Sequence, residues 1–332
     1  GVIARDETAR GIRYEAIVMN DAEDLIPPLE LRLFNLLIPR KDIVQLPVFP
    51  LPMKWWQLTA GHYMDEFASL PTRELPIREW LTGDVPSAGV GTGFSRRALD
   101  LAAASNDGQA FDETSLTEDY ELTMRISGKD VPEVFVIDPY IHARGGRDRL
   151  LVNSVVAVKA YFPKSFRRAV RQKTRWIMGN VIQSWIRLGW RGNLPMRYAF
   201  LRDRKVVIGH WAVGLCYVAF AATLAIWLIR WIVTGDPAFP DILPQEELPR
   251  TMVLANIYFM IAYAAIRAYS THLVYGPVQA LLSAPRLVWG SFINCLASLR
   301  AVYIFVFRRS SVHWDKTEHE FPEEFEASEP KK

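Results

Sequence analysis

The feature that most limits what this chain can become is the run Val206–Val233. It is apolar almost throughout, and His210 and Arg230 are its only His, Lys, Arg, Asp or Glu residues. It exceeds the roughly 20 residues that carry a helix through a bilayer. A second apolar stretch, Thr251–Ile266, continues through Arg267 into Leu273–Leu282. Together they predict two membrane spans, at 206–233 and about 251–271. Residues 285–307 contain Arg286 and Arg300 and read instead as interfacial or packed on the other helices.

Flanking charge sets orientation. Arg191, Arg197, Arg202, Arg204 and Lys205 precede the first run, and Arg308 and Arg309 follow the last apolar stretch. The loop 234–250 carries Asp236, Asp241, Glu246 and Glu247 against Arg250. Residues 1–205 and the tail are therefore expected in the cytoplasm, with the loop outside. Overall composition hides this division. The 332 residues are 50% hydrophobic and 23% charged, near a soluble average. The net charge of +3, with no basic stripe interleaved with aromatics, excludes a nucleic-acid partner. Cys216 and Cys295 both lie in apolar stretches, which excludes a disulfide framework and a Cys/His metal site.

Residues 1–205 read as alternating strands and helices. Gly1–Arg13 resembles the end of a helix and a turn, without an initiator Met, so upstream sequence is expected. Tyr14–Met19 is a buried strand ending in Asn-Asp, and Pro27–Ile38 has helical spacing with proline in its first turn. Ile43–Phe49 is a second strand, which Pro47 pushes toward a sheet edge. Residues 58–82 look helical but broken at Pro71 and Pro76. Ala88–Phe94 is a Gly-rich strand or turn leading into a helix from Ser95. Thr117–Ile126 is a short helix with Thr117 as N-cap, and Val134–Ile137 is a strand. This alternation argues an α/β fold around a mainly parallel sheet. In Ser165–Leu188, apolar residues recur near every 3.6 positions and arginines fill much of the rest, the pattern of a basic amphipathic helix in a membrane interface.

Three constellations carry candidate chemistry. Asp21, Glu23 and Asp24 follow a strand, where hard oxygen ligands suit Mg²⁺ or Mn²⁺ bound to a diphosphate. The same residues could be a solvated acidic turn. Glu118 and Asp119 fall in the first turn of a helix, where Asp119 is placed as a general base for a hydroxyl or as part of a capping arrangement. Gln172, Arg175 and Trp176 lie on the basic helix. Arg175 could hold a pyrophosphate through its planar fork and Trp176 could stack on a sugar. Both could equally touch lipid headgroups.

In order, the acidic D-x-(D/E), then T-E-D, then Q-x-x-R-W, followed at once by membrane spans, resembles the processive family-2 glycosyltransferases, which include the cellulose and hyaluronan synthases. NDAEDLIPPLELRLFN, VPSAGVGTGFSRRA, SLTEDYEL, RQKTRWIMGN and WDKTEHEFP are similar to the bacteriophage adsorption protein B subgroup, over nearly the whole chain. The resemblance implies a GT-A-like domain with its N-terminal strands missing (1–160), an interfacial amphipathic region with Q-x-x-R-W (161–205), a transmembrane and interfacial region (206–307) and a polar cytoplasmic tail (308–332). It implies Asp119 as catalytic base and a metal on Asp21 with Glu23 or Asp24. Glu118, Gln172, Arg175 and Trp176 would serve nucleotide and acceptor, and Gly91 and Thr92 would lie near the acceptor sugar. It also implies an inverting transfer from a nucleoside-diphosphate sugar, a UDP-sugar in the best-known members, to a glycan or membrane-linked acceptor at a bacterial inner membrane. The subgroup leaves room for an outer-membrane partner protein, and for a non-catalytic anchoring or signalling role.

Overall fold

The computed structural model describes residues 2–136, 156–239 and 245–308. The N-terminal helix α1 (Val2–Arg10) is tied to the domain by Arg96, whose two terminal nitrogens donate to Glu7 at 2.9 and 2.8 Å. The strands that follow are short: β1 (Ala16–Met19), β2 (Ile43–Gln45), β3 (Val48–Pro50), β4 (Thr92–Ser95), β5 (Glu133–Phe135) and β6 (Val158–Ala160).

The main sheet runs β1-β4-β2-β5. The sheet is mixed, contrary to the mainly parallel arrangement expected from the sequence. β4 is antiparallel to both neighbours, and only β2 and β5 run parallel within it. The remaining pair, β3 and β6, is parallel in a separate two-stranded sheet. Pro47 does not mark an edge either. β2 is wholly buried between β4 and β5, and Pro47 is where the chain leaves that sheet for the second. Proline has no N–H to offer a ladder, but its carbonyl accepts from the N–H of Val158 at 3.0 Å.

Alternation along β2 builds a core on each face of the sheet. Val44 faces helix α2 (Glu30–Leu37), where Leu29, Phe34, Ile38 and Leu46 gather. Ile43 faces helices α5 (Arg96–Ala104) and α6 (Glu118–Ile126), packing with Phe94, Ala98, Leu122 and Ile126. Phe34 is 1% exposed, so Phe34→Ala should cost about 3–5 kcal/mol. Ser95 caps α5 by accepting from the N–H of Ala98. Thr117 stands at the cap position of α6 but makes no capping bond, and its hydroxyl is buried without a partner.

Residues 58–82 are continuous where a break was expected. Helix α3 (Leu58–Ser69) passes through a π-helical stretch, Leu70–Glu74, into α4 (Leu75–Thr82). Pro71 falls in the wider π-helical turn and Pro76 just after it, at the start of α4. The basic segment is likewise built in three parts: α7 (Phe166–Trp176), a π-helical stretch Ile177–Gln183, and α8 (Ser184–Leu188). Helix α9 (Leu194–Arg204) leads almost directly into α10 (Val206–Thr234).

Among the described residues, three helical stretches are long and apolar enough to cross a membrane: Leu194–Thr234, Glu247–Tyr275 and Pro277–Phe307. The last was not expected to qualify, because its two arginines mask its length. It is one helix, α12 (Pro277–Phe307), joined to α11 (Glu247–Tyr275) through Gly276. α12 also packs extensively. Ser283, Arg286, Gly290, Ile293, Ala297 and Ala301 are buried on one side of it, and its contacts include α3, α7, α10 and α11. α10 has no buried residue. The loop position Asp241 and the tail from Arg309 lie outside the described residues, as does Ile137.

Candidate active site

The site is built around the loop 86–92, which two side-chain amides, one buried and one half-buried, hold in shape. Gln45, fully buried in β2, donates to the carbonyls of Leu46 and Val90 at 2.9 Å each. Its oxygen accepts from the Ala88 N–H at 2.9 Å and the Thr92 hydroxyl at 2.7 Å. Asn20 donates to Glu30 and accepts from the Gly91 N–H at 2.9 Å, which ties the loop to the acidic turn. Gly91 and Thr92, expected beside the acceptor, are buried behind the loop. Thr92 spends its hydroxyl on Gln45 and Ser87. The loop residues nearer the surface are Ala88, Gly89 and Val90.

The acidic residues form a tight turn and not an extended strand end. The Asp24 N–H donates to the Asp21 carbonyl at 3.2 Å, and an Asp24 carboxylate oxygen accepts from the Asp21 N–H at 2.9 Å. Burial, together with the like charges of Asp21, Glu23 and Glu30, pushes the Asp24 carboxyl up to about 6 despite that bond. Asp21, Glu23 and Asp24 line one cleft together with Val90, Gln172, Arg175 and Trp176. Two of the three sequence constellations, about 150 positions apart in the chain, therefore meet. The amide oxygen of Gln172 is buried without a hydrogen-bond partner.

Asp119 stands beside this cleft, facing the loop. An added Cβ on Gly89 would lie 2.9 Å from its Oδ2. Burial pushes its carboxyl up to about 6, with Glu118 adding to the rise and Arg175 opposing it. Arg175 thus acts electrostatically on Asp119 as well. The two helices approach through Gly179, one residue type that permits it. A Cβ there would overlap the Thr117 side chain.

Sequence reading missed the aromatic wall. Trp176 packs against Tyr63 and Phe67, each with ring centroids 6.1 Å away, and Phe162 lies 5.0 Å from Tyr63 and 4.6 Å from Phe67. Phe67 and Phe162 line the cleft. The basic helix also turns one of its cations into the protein interior. Lys173 is buried and donates to Glu66 at 2.5 Å. Burial alone would raise the Glu66 carboxyl, but Lys173 and His62 hold it down to about 2. Glu66 shares this polar interior with Asp65, and Arg286 of α12 reaches Asp65 at 3.1 Å.

Among the described residues no three His, Cys, Asp or Glu side chains converge as a metal cage. The donor set still fits a divalent ion of the Mg²⁺ type. Such ions keep several waters and are held by one or two carboxylates plus substrate phosphates. Asp21 and Glu23 border the cleft, and the mutual repulsion felt at Asp24 is what a cation would relieve.

A family model described as "Glycosyl transferase family group 2" matches residues 16–307. The chain is 37% identical over 334 aligned positions to bacteriophage adsorption protein B of Escherichia coli strain K12, covering 96% of this chain and 44% of that protein. Bacteriophage N4 adsorption protein B of Escherichia coli O157:H7 aligns with the same identity and coverage. The chain thus spans less than half the length of the curated relatives it matches.

Proposed function

The chain belongs to glycosyl transferase family group 2, and from that premise we propose that it serves an inverting transfer of a sugar from a nucleoside-diphosphate donor, a UDP-sugar, to a glycan or membrane-linked acceptor. The observation that carries the proposal is the cleft in which the acidic turn meets Gln172, Arg175 and Trp176, with Asp119 beside it across Gly89. The site would face the cytoplasm of a bacterial inner membrane, with α10 and α11 as the spans.

Asp119 accepts the proton of an acceptor hydroxyl. The same oxygen forms a bond to the anomeric carbon while the bond to the diphosphate breaks. A carboxyl near 6 is better matched to this task at neutral pH than an ordinary aspartate, while remaining mostly ionised. Positioned bases of this kind contribute ~10²–10⁴-fold. Arg175 neutralises charge gathering on the leaving diphosphate, and the aromatic wall of Phe67, Phe162 and Trp176 presents flat apolar faces to a sugar. Asp21 and Glu23 would hold Mg²⁺ or Mn²⁺, which supplies Lewis-acid stabilisation of the diphosphate when bound.

The relatives' names, which speak only of bacteriophage adsorption, are consistent with a second reading: a non-catalytic anchoring or signalling component of an envelope or phage-adsorption complex, with an outer-membrane protein as partner. Full-length protein incubated with radiolabelled nucleoside-diphosphate sugars decides between them. Transfer by the wild type and its loss in Asp119→Asn support the enzyme. Donor hydrolysis and transfer both absent, with adsorption intact in Asp119→Asn cells, would support the second reading.

A further inference from the structure

The π-helical stretch Leu70–Glu74, α4, α9 and α11 border a second cavity, open to the surface and of about 410 Å³, within the 300–1,000 Å³ range of small-molecule sites. Its position is set by the two helices read above as spans. α11 is buried only at Arg267, Ser270 and Thr271. Tyr263 borders the cavity, and beyond it Tyr258, Phe259, Met260 and Ile261 are all exposed. α10 begins at Val206, just after Arg202 on the cavity's other side. The cavity therefore sits where both apolar helices leave the folded domain.

Its chemistry is divided. Ile77 and Leu81 form an exposed apolar wall, and Tyr198 is exposed beside them. At the other end three arginines, Arg73, Arg78 and Arg202, face two carboxylates. Asp203 takes Arg78 by both oxygens, at 3.1 and 2.8 Å. Glu74 contacts Arg202 and lies 3.9 Å from Arg73. One positive charge is in excess, and Arg73, with 30% of its side chain exposed, is the arginine least engaged. An amphiphile with an anionic head matches this division. Basic and aromatic side chains at the end of an apolar span are also what a headgroup layer selects.

We propose that this cavity holds an anionic glycerophospholipid, its phosphate on Arg73 and Arg202 and its acyl chains along Ile77, Leu81 and the exposed face of α11. The inference rests on reading α10 and α11 as membrane spans. Labelling of Asp236→Cys with an impermeant thiol reagent, in a background lacking Cys216 and Cys295, tests that reading separately.

Native mass spectrometry of the full-length protein, purified with equal phosphatidylglycerol and phosphatidylcholine, tests the site. The wild type should retain phosphatidylglycerol under conditions that strip phosphatidylcholine. Arg73→Gln should cut that retention at least ~10-fold, the scale of a hydrogen bond to a charged group. Glu74→Gln, which removes the competing carboxylate, should keep or raise it. Equal retention of the two lipids, or an unchanged Arg73→Gln, overturns the proposal. Displacement of phosphatidylglycerol by millimolar glycerol 3-phosphate would show a phosphate site and not a lipid site, and would also overturn it.

Discussion

Gly89 stands against Asp119 so closely that a Cβ on it would come within 2.9 Å of the carboxylate oxygen Oδ2. Its φ of +79° is also one that L residues rarely adopt. The candidate base therefore faces bare backbone, and a side chain at this position would displace it. Gly89→Ala should destabilise the fold by about 1–2 kcal/mol through the backbone alone. It should also lower transfer up to ~10²-fold, because the base is displaced. Thermal melting and transfer measured on the same preparation check this. A modest loss of stability with full transfer would show that the base does not need the space.

The pH dependence follows from Asp119. Only the ionised carboxylate can take a proton, so transfer should rise as pH increases through about 6 and level off above it. Glu118 raises that value by its charge, so Glu118→Gln should move the midpoint to lower pH. Asp119→Asn should abolish this limb of the pH–rate profile and reduce turnover at least ~100-fold, with donor affinity nearly unchanged. A limb that persists in the Asn variant would assign it to another group.

The acidic turn makes its three carboxylates unequal. Asp24 is committed to the turn by accepting from the Asp21 N–H, and Glu23, which borders the same cleft as Asp21, is the carboxylate expected to join it on a cation. Asp21→Ala should abolish Mn²⁺-dependent binding of the nucleoside diphosphate, and Glu23→Ala should cost more than Asp24→Asn. Isothermal titration of the diphosphate with and without Mn²⁺ measures all three. If Asp24→Asn proves the most damaging, Asp24 is the ligand and its bond to Asp21 yields on binding.

Arg175 and Trp176 separate a site role from a lipid-anchoring role. Lysine and phenylalanine both suit a headgroup layer, so anchoring alone predicts silent Arg175→Lys and Trp176→Phe variants. A site role predicts that Arg175→Lys loses the bidentate fork and about 1.5–3 kcal/mol of donor binding or transfer. Trp176→Phe, which narrows the wall shared with Tyr63 and Phe67, should weaken acceptor use more than donor affinity. Membrane insertion, donor affinity and rate, measured for both, distinguish the two.

The parts of this site that could be read from the sequence were those written as local strings. T-E-D and Q-x-x-R-W announced themselves, and the family model agrees with the family they suggested. Their supports could not be read in the same way. Gln45 gave no sign that it would hold residues 88–92. Tyr63, Phe67 and Phe162 join Trp176 only through packing. Lys173 looked like one more surface cation on a basic helix, because its partner Glu66 is 107 residues away. Pro47 misled for a different reason. Proline's missing N–H excludes a central ladder position, but it does not say whether the chain will stop, skirt an edge or change sheets.

Gly179 brings the π-helical stretch after Trp176 onto Thr117, next in sequence but one to Asp119. That contact joins the start of α6, where the proposed base Asp119 lies, to the helical segment that follows Arg175. If the two groups act together on a ligand, this contact lowers the ordering cost left to supply on binding.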